Sequence, residues 1–272
     1  MDLMSIIGWI LAIGFIVVSI LLGEDPNTGK TTFIVKQLAG FWDPPSVMIV
    51  VGGTIAALMV SYPGSIFKKM PAHFKIVIKP PKYNPVQYIE QIVEFAKEAR
   101  INGLLALEEK LNEVKDPFLK TSLLLVVDSV EPEKIKELLT NEMDNLDERH
   151  SQCQSFYMKA SEYAPAFGMA GTLIGLINLL ANMSDAESLA KNMAVALVTT
   201  FYGVLLANLL FKPIGNKLKK RHEEELLCKM IISEGVQSIQ GGDNPTFIEE
   251  KLMRLLPSKT GQKGKKGKDG GK

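Results

Sequence analysis

The stretch YAPAFGMAGTLIGLINLLANM, residues 163–183, contains no charged residue across 21 positions. A helix that crosses a bilayer needs about 20 mainly apolar residues, so this stretch is long enough to be a membrane span. Three further charge-free runs of similar length cover residues 5–22, 46–62 and 193–211. Buried helices of a soluble protein seldom give four such runs in one chain, and we therefore predict an all-α membrane protein with four transmembrane helices.

The bulk composition does not reveal these spans, because 22% charged residues and a net charge of +1 are also typical of soluble proteins. The two cysteines, Cys153 and Cys228, lie far apart and show no metal-binding spacing. The three histidines, His73, His150 and His222, are scattered through polar segments. We expect reduced, inert thiols and histidines at the surface.

The distribution of lysine and arginine predicts the orientation of the spans, because cytoplasmic loops carry an excess of these residues. Of the 31 basic residues, 14 lie in 63–162 and 14 in 212–272, whereas 23–45 holds two and 184–192 holds one. We expect both termini in the cytoplasm and the two short connections outside.

The segments between and after the spans divide the chain into expected domains. Residues 1–62 hold the first two spans with an extracellular connection at 23–45, and residues 163–211 hold the other two. In 63–162, apolar residues recur at helical spacing, which predicts a cytoplasmic helical domain. Residues 212–256 predict a cytoplasmic C-terminal helix. The tail 257–272 is rich in glycine and lysine, and we expect it to be disordered.

One motif resembles a nucleotide-binding loop but fails its requirements. The segment from Gly23 to Thr31 has five residues between its first glycine and Gly29-Lys30, where a phosphate-binding loop has four. A membrane span precedes it instead of a strand. We expect an extracellular turn here, no cofactor, no nucleic-acid partner and, without any other catalytic motif, no enzymatic activity.

Small and hydroxyl residues form stripes along the third and fourth spans. Thr172 lies on one stripe of the third span, and Ala196 and Thr200 lie on one stripe of the fourth. Small residues allow helices to approach closely, and threonine hydroxyls can also line an ion path or bind a cation. No span contains a charged group that could hold and release a proton. If the protein moves ions, a second membrane protein must therefore supply the titrating acid.

Three motifs carry a resemblance to a known family. The segment ARINGLLALE at 99–108, the entry to the third span YAPAFGMAGTLIG at 163–175, and VTTFYG at 198–203 followed by Phe211-Lys212-Pro213 resemble flagellar stator subunits of the MotA/PomA type, which are related to ExbB and TolQ. The order of two spans, a basic helical loop, two spans and a helical tail is also similar. The resemblance covers about residues 1–255 and implies a multi-pass protein of the bacterial inner membrane.

The resemblance implies an assembly and a set of contacts. Five such chains surround two MotB-like chains, whose transmembrane aspartate binds the ion, and the cytoplasmic loop pushes the rotor protein FliG. Arg100 and Glu108 would contact the rotor, with Glu142 as a looser third match. The spacing of eight residues predicts that Arg100 and Glu108 lie near one face of a helix. Pro165 and Pro213, which by position start the third span and end the fourth, would couple ion binding to conformational change.

Two questions stay open at the level of sequence. Thr172 favours Na⁺, with Thr200 as a second ligand, because sodium-driven members tend to have threonine there, whereas the family as a whole favours H⁺. An ExbB- or TolQ-type energising subunit is an alternative, although that group has three spans. A passive membrane scaffold in contact with lipid is the other, and it would not need Arg100, Glu108 or the two prolines. We expect the third and fourth spans to line the path and the first two to face lipid.

Overall fold

The first two spans are helical in the computed structural model, which describes residues 2–24, 31–181, 183 and 185–257. Helix α1 covers Leu3–Leu21. The strands β1, Leu22–Glu24, and β2, Thr31–Phe33, pair antiparallel, and a 3₁₀ segment covers Val35–Phe41. The second span begins as α2, Pro44–Val47, continues through a π-helical segment, Met48–Gly52, and ends as α3, Gly53–Ser61.

The region between the second and third spans consists of short helices. Helix α4 covers Gly64–Ile78, and α5 covers Pro85–Asn102. A 3₁₀ turn, Leu104–Ala106, leads into α6, Leu107–Leu111, which is followed by α7, Pro117–Val127.

The last two spans belong to long helices. Helix α8, Pro132–Ala181, has 50 residues and contains the third span without a break. The fourth span begins as α9, Ala186–Leu205, passes through a π-helical segment, Leu206–Phe211, and continues as α10, Lys212–Gln240. Helix α11 covers Pro245–Met253. Within the described residues, four helical stretches are long and apolar enough to cross a membrane, which confirms the predicted number of spans and the helical fold class.

Several helices begin at the same kind of dipeptide, an Asp or Asn followed by Pro. The side chains of Asp43, Asn84, Asp116 and Asn244 each accept a hydrogen bond from a backbone N–H in the first turn of the helix that follows. Proline at the first helical position has a suitable φ and lacks only an N–H that would be unpaired anyway. The predicted helix starts at Asn84-Pro85 and Glu131-Pro132 are both confirmed.

The chain forms two compact units. Unit 1 comprises Met1–Pro81 and Ser151–Lys219 and therefore holds the four spans. Its buried cluster includes Leu58, Ile66, Val77, Phe156, Tyr157 and Ile214. Residues 63–81 and 151–162, which we assigned by sequence to the cytoplasmic domain, pack with unit 1.

Unit 2 comprises Lys82–His150 and Lys220–Lys272 and has its own helical core. Helix α11 packs against α5, and the core includes Ile89, Ile92, Leu119, Leu123, Ile231 and Ile248. Residues 212–256, predicted as one C-terminal helix, form two helices, since the chain turns after α10 at Gly242, which has φ +72°. Residues 258–272 of the predicted tail and residues 25–30 of the predicted extracellular turn lie outside the described residues.

The sequence expectation for the histidines needs correction. The prediction of surface histidines is wrong for His73 and His222, whose exposed fractions are 6% and 8%. His73 hydrogen-bonds the Tyr157 hydroxyl at 3.2 Å, and His222 Nε2 lies 2.7 Å from Asp147 Oδ1, so each buried ring has a polar partner. The described residues also include the short pair β1–β2, where Thr31-Thr32-Phe33 supplies β-branched and aromatic residues that suit a strand.

Candidate functional site

Helices α8 and α9 approach each other closely along glycine positions. A Cβ atom on Gly203 would lie 2.6 Å from the carbonyl oxygen of Ala164, and one on Gly175 would lie 2.7 Å from the carbonyl oxygen of Asn192. These distances are shorter than any normal contact, so a larger residue would force the two backbones apart. The small-residue stripes predicted from the sequence therefore do pack the third span against the fourth.

The hydroxyl residues predicted for the ion path meet at this contact. Thr172 Oγ1 lies 2.5 Å from Thr200 Oγ1 and 3.0 Å from the carbonyl oxygen of Ala196. Thr200 Oγ1 lies 3.5 Å from the same carbonyl. The structure thus brings Thr172, Thr200 and Ala196 into one cluster of three oxygen atoms, which we call the hydroxyl cluster.

The chemistry of the hydroxyl cluster is limited to hydrogen bonding and oxygen ligation. Two hydroxyls and a carbonyl can bind a hard cation or orient water. None of the three groups changes its protonation state near neutral pH. Among the described residues, no group of three or more His, Cys, Asp or Glu side chains is placed to hold a metal ion. The cluster can therefore guide an ion but cannot carry a proton by titration.

The two predicted coupling prolines lie inside continuous helices. We expected Pro165 at a helix start and Pro213 at a helix stop. Instead, α8 continues on both sides of Pro165, and Pro213 is the second residue of α10, which begins at Lys212 immediately after the π-helical segment. A proline inside a helix removes one backbone hydrogen bond and favours a bend. A Cβ on Gly203 would lie 3.0 Å from Pro165 Cα, so the close α8–α9 contact includes this proline.

The predicted rotor-contact charges lie on two helices of unit 2 instead of one. Arg100 is exposed near the end of α5, and Glu108 is exposed at the start of α6. Between them, Gly103 has φ +82°, and this conformation ends α5. The expectation that both charges share one helix face is wrong because glycine breaks the helix between them. Within the described part of the chain, neither side chain has an ion-pair partner.

An ion pair that the sequence analysis missed joins the two helices at this point. Lys110 Nζ of α6 lies 2.5 Å from Glu98 Oε2 of α5. The hydrogen bond from Lys110 lowers the pKa of Glu98 below its usual value. Two exposed apolar side chains, Ile101 and Leu105, lie on either side of Gly103. The third predicted charge, Glu142, is exposed but pairs with Lys229 at 3.4 Å, so it is less available than Arg100 or Glu108.

A second missed feature of unit 2 is a chain of polar contacts between α8 and α10. His150 Nδ1 lies 3.1 Å from His222 Nδ1, and His222 Nε2 lies 2.7 Å from Asp147. Burial lowers the pKa of His150 below its usual value, and His222 and Arg149 act in the same direction, whereas Glu225 and Asp147 oppose it. The spacing of Asp147 and His150 by three residues, one helical turn, was the available sequence signal.

These observations define a multi-pass membrane protein with an oxygen cluster between two closely packed spans and a charged helical unit. The chain belongs to the MotA/TolQ/ExbB proton channel family, whose model matches residues 110–230. It is 42% identical over 259 residues to Motility protein A of Borreliella burgdorferi, which covers 95% of each chain.

Solved structures agree with this assignment. The flagellar MotAB stator complex from Bacillus subtilis matches with a TM-score of 0.82 and 32% identity, covering 96% of this chain and 99% of that chain. C. jejuni MotAB matches with a TM-score of 0.81 and 30% identity, covering 95% and 97%. The sequence resemblance to stator subunits is therefore confirmed over nearly the whole length.

Proposed function

We propose that this chain is the ion-conducting stator subunit of a bacterial flagellar motor and converts inward ion flow into rotation. The observation that supports the proposal is the combination of an oxygen cluster between the third and fourth spans with charge-free runs in all four spans. Such a subunit needs a partner with an intramembrane carboxylate, and the similar structures are of MotAB complexes. The partner would be a MotB-like chain with one span and an aspartate within the membrane.

The proposed assembly is a ring of five copies around two partner chains in the inner membrane, with both termini in the cytoplasm. The orientation rests on the 28 basic residues in 63–162 and 212–272, against three in the two short connections. In this assembly the third and fourth spans face the partner.

Two coupling ions fit the hydroxyl cluster, and different observations favour each. The family description names a proton channel, which favours H⁺. Thr172 and Thr200 add two hydroxyl oxygens to the carbonyl of Ala196, and oxygen ligands suit Na⁺. Swimming speed measured while Na⁺ is replaced by K⁺ at constant pH decides between them. A Na⁺-driven protein would stop, and an H⁺-driven one would continue.

The proposed rotor contact consists of Arg100 and Glu108, with Glu142 as a looser third match, against the rotor protein FliG. Exposed ion pairs are worth about 0–1 kcal/mol each, which suits contacts that form and break at every step. Such charges guide encounter and register more than they add affinity. Pro165 and Pro213 would transmit the change that ion binding causes.

Charge reversal tests the proposal directly. In a strain that lacks its own stator subunit, Arg100→Glu should abolish swimming while membrane insertion and co-purification with the single-span partner remain normal. Arg254→Glu is the matched control, since Arg254 is exposed in unit 2 and lies more than 100 positions in sequence from Arg100, Glu108 and Glu142. Normal swimming with Arg100→Glu would favour a passive scaffold, and recovery with an outer-membrane energising system would favour the ExbB/TolQ alternative.

A further inference from the structure

The fourth span contains a carbonyl group that its own helix cannot pair in the usual way. Pro213 has no backbone N–H, so residue 213 cannot donate to the carbonyl of Leu209, four positions earlier. The backbone is also widened here, because the N–H of Lys212 bonds to the carbonyl of Ala207, five positions earlier. Proline is tolerated in a membrane helix where a neighbouring helix supplies the missing partner.

Helix α1 supplies that partner from a distant part of the sequence. The indole N–H of Trp9 donates to the carbonyl oxygen of Leu209 at 2.7 Å, across 200 positions of the chain. The indole nitrogen is only a donor, and in an apolar surrounding its pairing with a carbonyl satisfies both groups at once. Trp9 therefore replaces the hydrogen bond that Pro213 removes.

Space for movement lies at the same position. A cavity of 410 Å³ is lined by Trp9, Leu209 and Pro213, together with small residues of α1, Gly8 and Ala12. A close-packed interior resists a change of helix bend. The open, mainly apolar cavity beside Pro213 leaves room for a change of bend at this position.

We propose that Trp9 is a positioning residue that ties α1 to the fourth span and sets the resting bend at Pro213. This inference rests on the proposed function, in which Pro213 couples ion binding to conformational change. The hydrogen bond itself, however, is tested by stability alone. Trp9 is not among the residues of the hydroxyl cluster or of the proposed rotor contact.

A double-mutant cycle on the purified complex with its partner tests the hydrogen bond. Trp9→Phe keeps an aromatic ring and removes the N–H. In the native background it should lower Tm by about 3 °C, the effect of one lost hydrogen bond in a chain of this size. In the Pro213→Ala background residue 213 supplies its own N–H to Leu209, so the same change should lower Tm by less than about 1 °C. Equal losses in both backgrounds would overturn the proposal.

The control is the second tryptophan. Trp42 is 71% exposed, and Trp42→Phe should leave Tm within about 1 °C in both backgrounds. If Trp9→Phe prevents assembly, recovery of assembly in the Trp9→Phe/Pro213→Ala double variant supports the proposal, and failure to recover overturns it.

Swimming assays separate this inference from the proposed function. Trp9→Phe should slow swimming while expression and partner binding remain normal. If the Tm losses in the cycle are non-additive but Trp9→Phe swims at native speed, the positioning role is overturned and the stator function is unaffected. If Pro213→Ala swims normally, the coupling role proposed for Pro213 fails, although the cycle still reports whether Trp9 pairs with Leu209.

Discussion

Among single residues, Thr172 is the sharpest test of the ion path. Thr172→Val keeps the shape of the side chain and removes the hydroxyl that lies 2.5 Å from Thr200 Oγ1 and 3.0 Å from the carbonyl of Ala196. The loss of one such contact, about 1 kcal/mol, corresponds to roughly fivefold in rate. We expect ion flux through the complex in vesicles to fall by about that factor.

Thr199→Val is the matched control for this prediction. The hydroxyl of Thr199 lies 2.8 Å from the carbonyl of Val195 and 3.1 Å from that of Ala196, both on its own helix. The methyl group of Thr199 packs so closely against Gly171 that a Cβ on Gly171 would lie 2.4 Å from it. Valine keeps this methyl group, so the packing is preserved. Ion flux should stay near the native value, and an equal loss in both variants would contradict a specific role for Thr172.

The burial and pairing of His150 and His222 could not be predicted from the sequence around each residue. His150 and His222 are 72 positions apart, and their polar neighbours in sequence indicated exposed surface. Only the pairing of α8 with α10 buries His222 and places its ring between His150 and Asp147. Thr172 and Thr200 were predictable because each lies on a regular small-residue stripe, and two such stripes on neighbouring spans tend to face each other.

At the scale of elements, the break between α5 and α6 controls where Arg100 and Glu108 lie. Gly103 has φ +82° and ψ 166°, a region that residues with a Cβ avoid, at a cost of about 1–3 kcal/mol. Gly103→Ala should therefore lower the Tm of the purified protein by several degrees and reduce swimming. Circular dichroism during heating in detergent measures the first effect.

Gly241→Ala is the control for that measurement. A Cβ on Gly241 would meet its nearest neighbour, the carbonyl oxygen of Gln237, at an ordinary distance of 3.4 Å. We expect little change in Tm. The sequence indicated one continuous helix face for Arg100 and Glu108 because the apolar spacing continues past Gly103, and the glycine conformation that ends α5 is not visible in that spacing. An unchanged Tm in Gly103→Ala would show that this conformation is not required.

The contact between α8 and α10 in unit 2 predicts a dependence of stability on pH. Burial holds the pKa of His150 below its usual value of about 6.5. The lowered pKa belongs to the folded chain, and the usual value applies to the unfolded chain. Between these two pKa values the unfolded chain binds a proton at His150 that the folded chain does not, so stability falls as pH is lowered through this range. The Tm should therefore decrease from about pH 7.5 to about pH 5.5, and His150→Gln should make that decrease smaller. The same decrease in both proteins would assign the effect to other groups.

At the scale of the whole molecule, the order of spans was predictable and the division into units was not. Charge-free runs define the spans directly, because charges are costly in hydrocarbon. The units depend on contacts between distant segments, and residues 63–81 and 151–162 join the spans through buried side chains such as Ile66, Val77 and Phe156. These apolar side chains lie in segments that also contain charged residues. From the sequence alone, both segments were therefore assigned to the cytoplasmic helical domain.

The absence of acidic residues from the charge-free spans makes the final prediction one about the complex. Expressed alone and placed in vesicles, this chain should carry no ion current, because the hydroxyl cluster cannot bind and release a proton and no other group in those spans can replace a carboxylate. Co-expression with its single-span partner should give a current. Aspartate to asparagine in the partner's span should remove that current without loss of assembly. A current from this chain alone would contradict the proposal that the partner supplies the carboxylate, since the ion would then pass without an acid.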